Sequence, residues 1–120
     1  GITACPPHRE IHKTALGADE TVKWRYFETT EEACRTLKSS GYRIYAVEQV
    51  EESVALQDFE AVPNSAFVLG NEVEGVNDKV LPFCDAAIEI PQEGTKHSLN
   101  VSVCAGILMW EFFKQIALKN

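Results

Sequence analysis

Residues 90–106 read IPQEGTKHSLNVSVCAG. Ile90 and Pro91 close the apolar stretch AAIEIP (86–91), where proline ends any strand because it has no N–H to give to a ladder. A short loop with Gly94 follows. From Ser98 the polar residues Ser98, Asn100 and Ser102 then alternate with Leu99, Val101 and Val103 before the apolar run ILMWEFFKQIAL (107–118). The layout is that of a buried strand, a glycine-containing loop and a helix start with free amides. A helix is expected from about Ser98 to about Lys119, with Ser98 as its N-cap and Asn100 in its first turn. Capping accounts for Ser98 but not for Asn100. An unbonded buried polar group costs about 1–3 kcal/mol, so Asn100 is expected to reach the loop before it.

The same layout occurs once more upstream. AFVLG (66–70) is a continuous apolar run ending in glycine, which predicts a strand buried on both faces, and NEVEGV follows as a loop. Working outward, VKWRYF (22–27) alternates and is aromatic, which predicts a strand. Thr30-Glu31-Glu32 opens a helix with a hydroxyl N-cap and acids that complement the helix dipole, and Gly41 ends it. RIYAVEQV (43–50) predicts a second strand. SVALQDFEAV (53–62) is ambiguous, and NDKVLPFCD (77–85) predicts a short helix. IHKTALGADE (11–20) suits a helical turn. Strands therefore alternate with helical segments, the pattern of a single α/β domain spanning residues 1–120, with a mostly parallel sheet and helices on both faces. The first predicted strand follows a long loop, so the domain is expected to lack its first strand and helix in these residues. The last helix is apolar nearly all round: Ile107, Met109, Trp110 and Phe113 lie on other faces than Val101, Ala105, Leu108 and Phe112. A helix covering a sheet needs one apolar stripe, so a second buried surface is expected, in a homodimer.

Composition excludes several classes. With 120 residues, 45% hydrophobic and 24% charged, the chain suits one folded domain. No apolar run approaches the roughly 18 residues of a membrane span, and GITACPPHRE lacks a signal-peptide layout, so a cytoplasmic protein is expected. The net charge of −7 argues against binding nucleic acid over the whole surface. The segment PPHREIHK, with His8, Arg9, His12 and Lys13 against Glu10, is the basic exception. The four cysteines form no CxxC pair and are expected to be free thiols. Cys5, His8 and His12 have zinc-like spacing but no partner pair, and a solvated loop is the simpler account. GNEVEG (70–75) is not a dinucleotide fingerprint, because it lacks the middle glycine, nor a P-loop, because it lacks Lys-Ser/Thr. Its acids would repel a phosphate. The physical alternatives for this loop are a solvated turn and a ligand loop at a strand's carboxyl end.

Taken together, FVLGNEVEG (67–75) and IPQEGTKHSLNVSVCAG (90–106) resemble the second and third motifs of the SpoU-type (TrmH-like) RNA 2′-O-ribose methyltransferases of the SPOUT superfamily. Gln92 stands where that family has Met, and Cys104 where it has Ala. PPHREIHKTALGA (6–18) is also similar to a segment of the family's short members, so the likeness covers essentially the whole chain. The resemblance implies a C-terminal trefoil knot, a dimer, and S-adenosylmethionine bound against the knotted loops. Val68, Leu69, Gly70, Gly75, Ile90, Gln92 and Leu99 would hold that cofactor. It further implies that Glu72, Ser98 and Asn100 orient a catalytic arginine and the substrate, a tRNA or rRNA. The acidic balance of the chain assigns contacts with that RNA to the basic PPHREIHK loop, through Arg9 and Lys13, to a partner subunit, or to an N-terminal segment outside these residues. The family's first motif, an Asn followed by that arginine, is not matched: Arg9, Arg25, Arg35 and Arg43 all lack its context. The chain alone is therefore expected to be an inactive fragment of a methyltransferase. The rival expectations are a non-catalytic knotted domain for dimerisation or RNA docking, and a generic α/β nucleotide binder.

Overall fold

The computed structural model describes residues 23–50, 52–70, 75–91 and 100–118. Within them lie helix α1 (Thr30–Ser39), strands β1 (Arg43–Val47), β2 (Val54–Ala55), β3 (Ser65–Leu69) and β4 (Ala86–Glu89), and helix α2 (Val101–Ile116). Short 3-10 turns occupy Leu56–Asp58 and Leu81–Phe83. The sheet order is β2-β4-β1-β3, and every pairing is parallel. Parallel sheets are covered on both faces; α1, before β1, covers one face and α2, after β4, the other. Ile44, Ala46, Ala66 and Val68 pack toward Cys34 and Leu37 of α1, with Val76 and Val80. Tyr45, Phe67, Leu69 and Ile88 pack toward Leu108 and Ile107 of α2, with Leu56 and Phe59. The strict alternation along β1 and β3 is the period of two expected of strands.

Several boundaries move from their expected places. Residues 23–27 form no strand: Lys23, Trp24, Arg25 and Tyr26 are all exposed, so their alternation sorts nothing into a core. The Arg25 guanidinium instead lies 4.8 Å from the centre of the Phe27 ring. The fourth strand comes from the ambiguous segment, as β2. β1 stops at Val47 rather than residue 50, and the expected helix at 77–85 is a 3-10 turn. β3 packs on both faces, as expected, but is only half-buried along its length, because it lies at one edge of the described sheet. The N-cap of α1 is Thr29, whose Oγ1 accepts from the Glu32 N–H at 3.1 Å. Gly41 adopts φ 87° after the helix end, the left-handed position expected of it. Of the thiols, Cys34 is buried while Cys84 and Cys104 are half-buried. Residues 11–20 and Cys5 lie outside the described residues.

Helix α2 presents two apolar surfaces, as expected from its composition. Leu108 is only 2% exposed, whereas Met109 is 63%, Trp110 57% and Phe113 49% exposed. The far end of α2 is fastened by Gln115. Its Oε1 accepts from the Ala61 N–H at 2.7 Å, and its Nε2 donates to the Phe59 carbonyl at 2.9 Å.

Asp85 joins β4 to β1 and α1. Its Oδ2 accepts from the Ile44 N–H at 2.8 Å, and both of its oxygens accept from Lys38 Nζ, at 2.9 and 3.0 Å. The Ile44 N–H, then the Lys38 ammonium, hold its carboxyl below the usual carboxylate range. A depressed carboxyl contributes stability above its unfolded pKa, about 3.9, that disappears as pH falls through the folded value. Asp85→Asn should therefore lower unfolding free energy at pH 7 by about 1–2 kcal/mol. In urea titrations the gap from wild type should close as pH drops below about 4, and a gap independent of pH would contradict the clamp.

Candidate active site

The carboxyl end of β3 is where the two halves of the upstream loop meet. Gly70 has no room for a side chain: a Cβ there would strike the main chain of Gly75 and Val76. Gly75 adopts φ 73°, a conformation that L side chains rarely adopt, and its Cβ position is filled by the Glu48 carboxylate. The two glycines thus let one strand end close upon the segment that follows it. Glu48 itself has one carboxylate oxygen, Oε2, that is buried with no hydrogen-bond partner.

A cleft of about 770 Å³ opens at this end, lined by Val68, Leu69, Gly70, Gly75, Val76 and Val80 on its floor. Glu28 to Glu31, from the start of α1, and Asn77 to Lys79 form its remaining walls. Glu28, Glu31 and Asp78 outnumber Lys79 there, so the cleft repels phosphate and suits a neutral or cationic ligand. No arginine lines it among the described residues. Burial pushes the thiols of Cys34, Cys84 and Cys104 up, so none is prepared as a nucleophile. Among the described residues no group of His, Cys, Asp or Glu is arranged to hold a metal ion; Cys5, His8 and His12 lie outside them.

Of the expected cofactor residues, Val68, Leu69, Gly70 and Gly75 come together in this cleft. Ile90 instead packs with the α2-side core, and it does not line the cleft. Glu72, Gln92, Ser98, Leu99, Arg9 and Lys13 lie outside the described residues. Asn100 corrects the expectation drawn from capping. It is the N-cap itself, with φ −56° and ψ 141°, and its Oδ1 accepts from the Ser102 N–H at 2.8 Å. Its carbonyl accepts the first helical bond, from the Cys104 N–H at 3.0 Å. The helix therefore starts at Val101, not near Ser98. Asn is as good a cap as Ser, and spacing could not choose between them. Glu48 was missed, because nothing in RIYAVEQV marks its acid as the one that turns inward.

The chain matches the SpoU rRNA Methylase family over residues 2–110 and belongs to it. It is 36% identical over 110 residues to the 23S rRNA (guanosine-2′-O-)-methyltransferase RlmB of Neisseria meningitidis, covering 92% of this chain and 44% of that protein. Its fold superposes on the Aquifex aeolicus TrmH/SpoU tRNA modifying enzyme with a TM-score of 0.81 and 28% identity, over 89% of this chain and 54% of that one. The SpoU methyltransferase AviRb of Streptomyces viridochromogenes, crystallised with AdoMet, shares the fold at a TM-score of 0.86 but only 17% identity, over 99% of this chain and 49% of that one. The chain thus spans about half the length of these relatives.

Gly70→Ala places a methyl group against the Gly75 main chain, which cannot rotate away as a side chain could. It should lower unfolding free energy by about 1–3 kcal/mol. Thermal denaturation would show this, and a wild-type midpoint would mean that the two segments are not in contact.

Proposed function

We propose that this domain holds S-adenosylmethionine at the carboxyl end of β3 and directs its methyl group to a ribose 2′-hydroxyl of tRNA or rRNA. The close approach of Gly70 to Gly75, in a chain of the SpoU family, carries this reading. The bound cofactor supplies an electrophilic sulfonium methyl, so the protein's work is to bind, orient and manage one proton. Main-chain groups of Val68, Leu69, Gly70 and Gly75 suit the adenosyl portion, with Gln92 and Leu99 assigned to it from the neighbouring loop. The acidic walls of the cleft favour a cationic sulfonium over a nucleoside triphosphate, which supports this cofactor over ATP. Glu72, Ser98 and Asn100 are assigned to orienting the proton acceptor and the target ribose, and Arg9 and Lys13 to the RNA backbone. No arginine of these residues matches the family's first motif, so we assign no base within them. By themselves they are expected to bind the cofactor without turnover.

Threading of α2 as a trefoil knot and pairing of two copies belong to the same proposal. The exposed Met109, Trp110 and Phe113 supply a helix face of the kind that dimers bury. Trp110→Glu should convert a dimer to a monomer in sedimentation velocity. Wild type sedimenting only as a monomer at micromolar concentration would remove the dimer.

Calorimetric titration of the full-length protein with S-adenosylhomocysteine should give saturable binding, and mass spectrometry of guanosine-containing tRNA or rRNA should show ribose methylation. No binding at millimolar ligand would overturn the cofactor site. Binding without methyl transfer would favour the non-catalytic domain. Asn100 allows a finer separation: Asn100→Ala loses the cap, about 1 kcal/mol, whereas Asn100→Ser retains it. If the site needs the amide, Asn100→Ser should keep wild-type stability while methyl transfer falls at least about tenfold, the effect of losing one oriented hydrogen bond. Full activity would leave Asn100 a cap only.

A further inference from the structure

Glu48 follows directly after β1, and its N–H still donates to the Ile88 carbonyl at 3.0 Å, so its main chain is held in the frame of the sheet. Strand alternation places its side chain on the α1 face, with Ile44 and Ala46. Oε1 lies against Gly75, and Oε2 is buried without a donor. Among the described residues no lysine or arginine pairs with it. An acceptor buried without a partner is destabilising, which points to a donor that arrives with a ligand. Glu48 stands directly behind Gly75, which lines the cleft, at the end where open parallel sheets bind ligands.

We propose that Glu48 accepts a hydrogen bond from a ribose hydroxyl of the bound cofactor, and so selects an intact ribose; this rests on the cofactor reading above. One orphan oxygen matches the single donor of a hydroxyl. The methionine ammonium would bring three donors and the adenine amino group two, each needing further buried acceptors. Carboxylates just past a strand end hold ribose hydroxyls in the same way in doubly wound dinucleotide folds. Gly75 then has a second reason to be glycine: any side chain there would displace the carboxylate from its place.

The test compares wild type, Glu48→Leu and Glu48→Gln of the full-length protein by calorimetry. The ligands are S-adenosylhomocysteine and its 2′-deoxy and 3′-deoxy ribose analogues. Glu48→Leu should weaken S-adenosylhomocysteine at least about tenfold, as expected for loss of a hydrogen bond to a charged group. Glu48→Gln, which keeps a neutral acceptor, should fall between. For the analogue lacking the contacted hydroxyl, wild type and Glu48→Leu should bind alike. The melting temperature of ligand-free Glu48→Leu should equal or exceed that of wild type, since an unpaired buried acceptor has been removed. Equal affinities of wild type and Glu48→Leu for S-adenosylhomocysteine would overturn the proposal. So would equal losses for all three ligands, or a lowered melting temperature, which would make Glu48 a structural acceptor for the loop. Failure of wild type to bind S-adenosylhomocysteine would instead overturn the cofactor reading, before any variant is compared.

Discussion

At the carboxyl end of β3 the main chain of Gly70 lies against that of Gly75, with no space for a Cβ between them. This contact turns the end of a strand into the rim of a cleft. It brings Val76 back beneath the sheet, where Val76 and Val80 complete the α1-side core. It also sets Gly75 against Glu48, whose carboxylate fills the space a side chain at Gly75 would need. Main-chain packing of this kind leaves backbone amides and carbonyls, rather than charged side chains, to meet a ligand. That suits an adenosyl group, which offers a flat apolar ring and a few hydroxyl and amino donors.

The remainder of the fold keeps that strand end in place. The Asp85 carboxylate holds the start of β1 and the end of α1 against the start of β4, at the opposite end of the sheet from the cleft. Gln115 fastens the far end of α2 to Phe59 and Ala61. Tyr45, Phe59 and Phe67 pack edge-on and stacked between that segment and the sheet, with ring centres 5.1 to 6.0 Å apart. These contacts join segments far apart in sequence and hold α2 against the sheet. The apolar surface left on α2 by Met109, Trp110 and Phe113 faces away from that core. A helix can serve the sheet and a second surface at once only when it is apolar nearly all round, and this one is.

Much of this was legible in the residues. FVLG and AAIEIP announced strands by short, largely apolar runs, and the unusual composition of α2 announced two apolar surfaces. The two glycine-bearing loops, read jointly, pointed to the SpoU family. Legibility failed where the same local signal had two outcomes. KWRYF alternates like a strand, yet no described strand pairs with it, so propensity had nothing to act on. Ser98 and Asn100 are both good caps, and nothing in their spacing chooses between them.

By itself, then, the sequence determined the parallel α/β class, both helices, the glycines at the strand end and the family, because each depends on residue type or short-range periodicity. Only the tertiary structure decided which acid turns inward, which polar residue caps α2, and that Gly70 must be glycine because Gly75 lies beside it. Those depend on distances between segments that no local pattern encodes. The inward carboxylate of Glu48, one glutamate among many along the chain, is distinguished solely by the glycine that the fold sets against it.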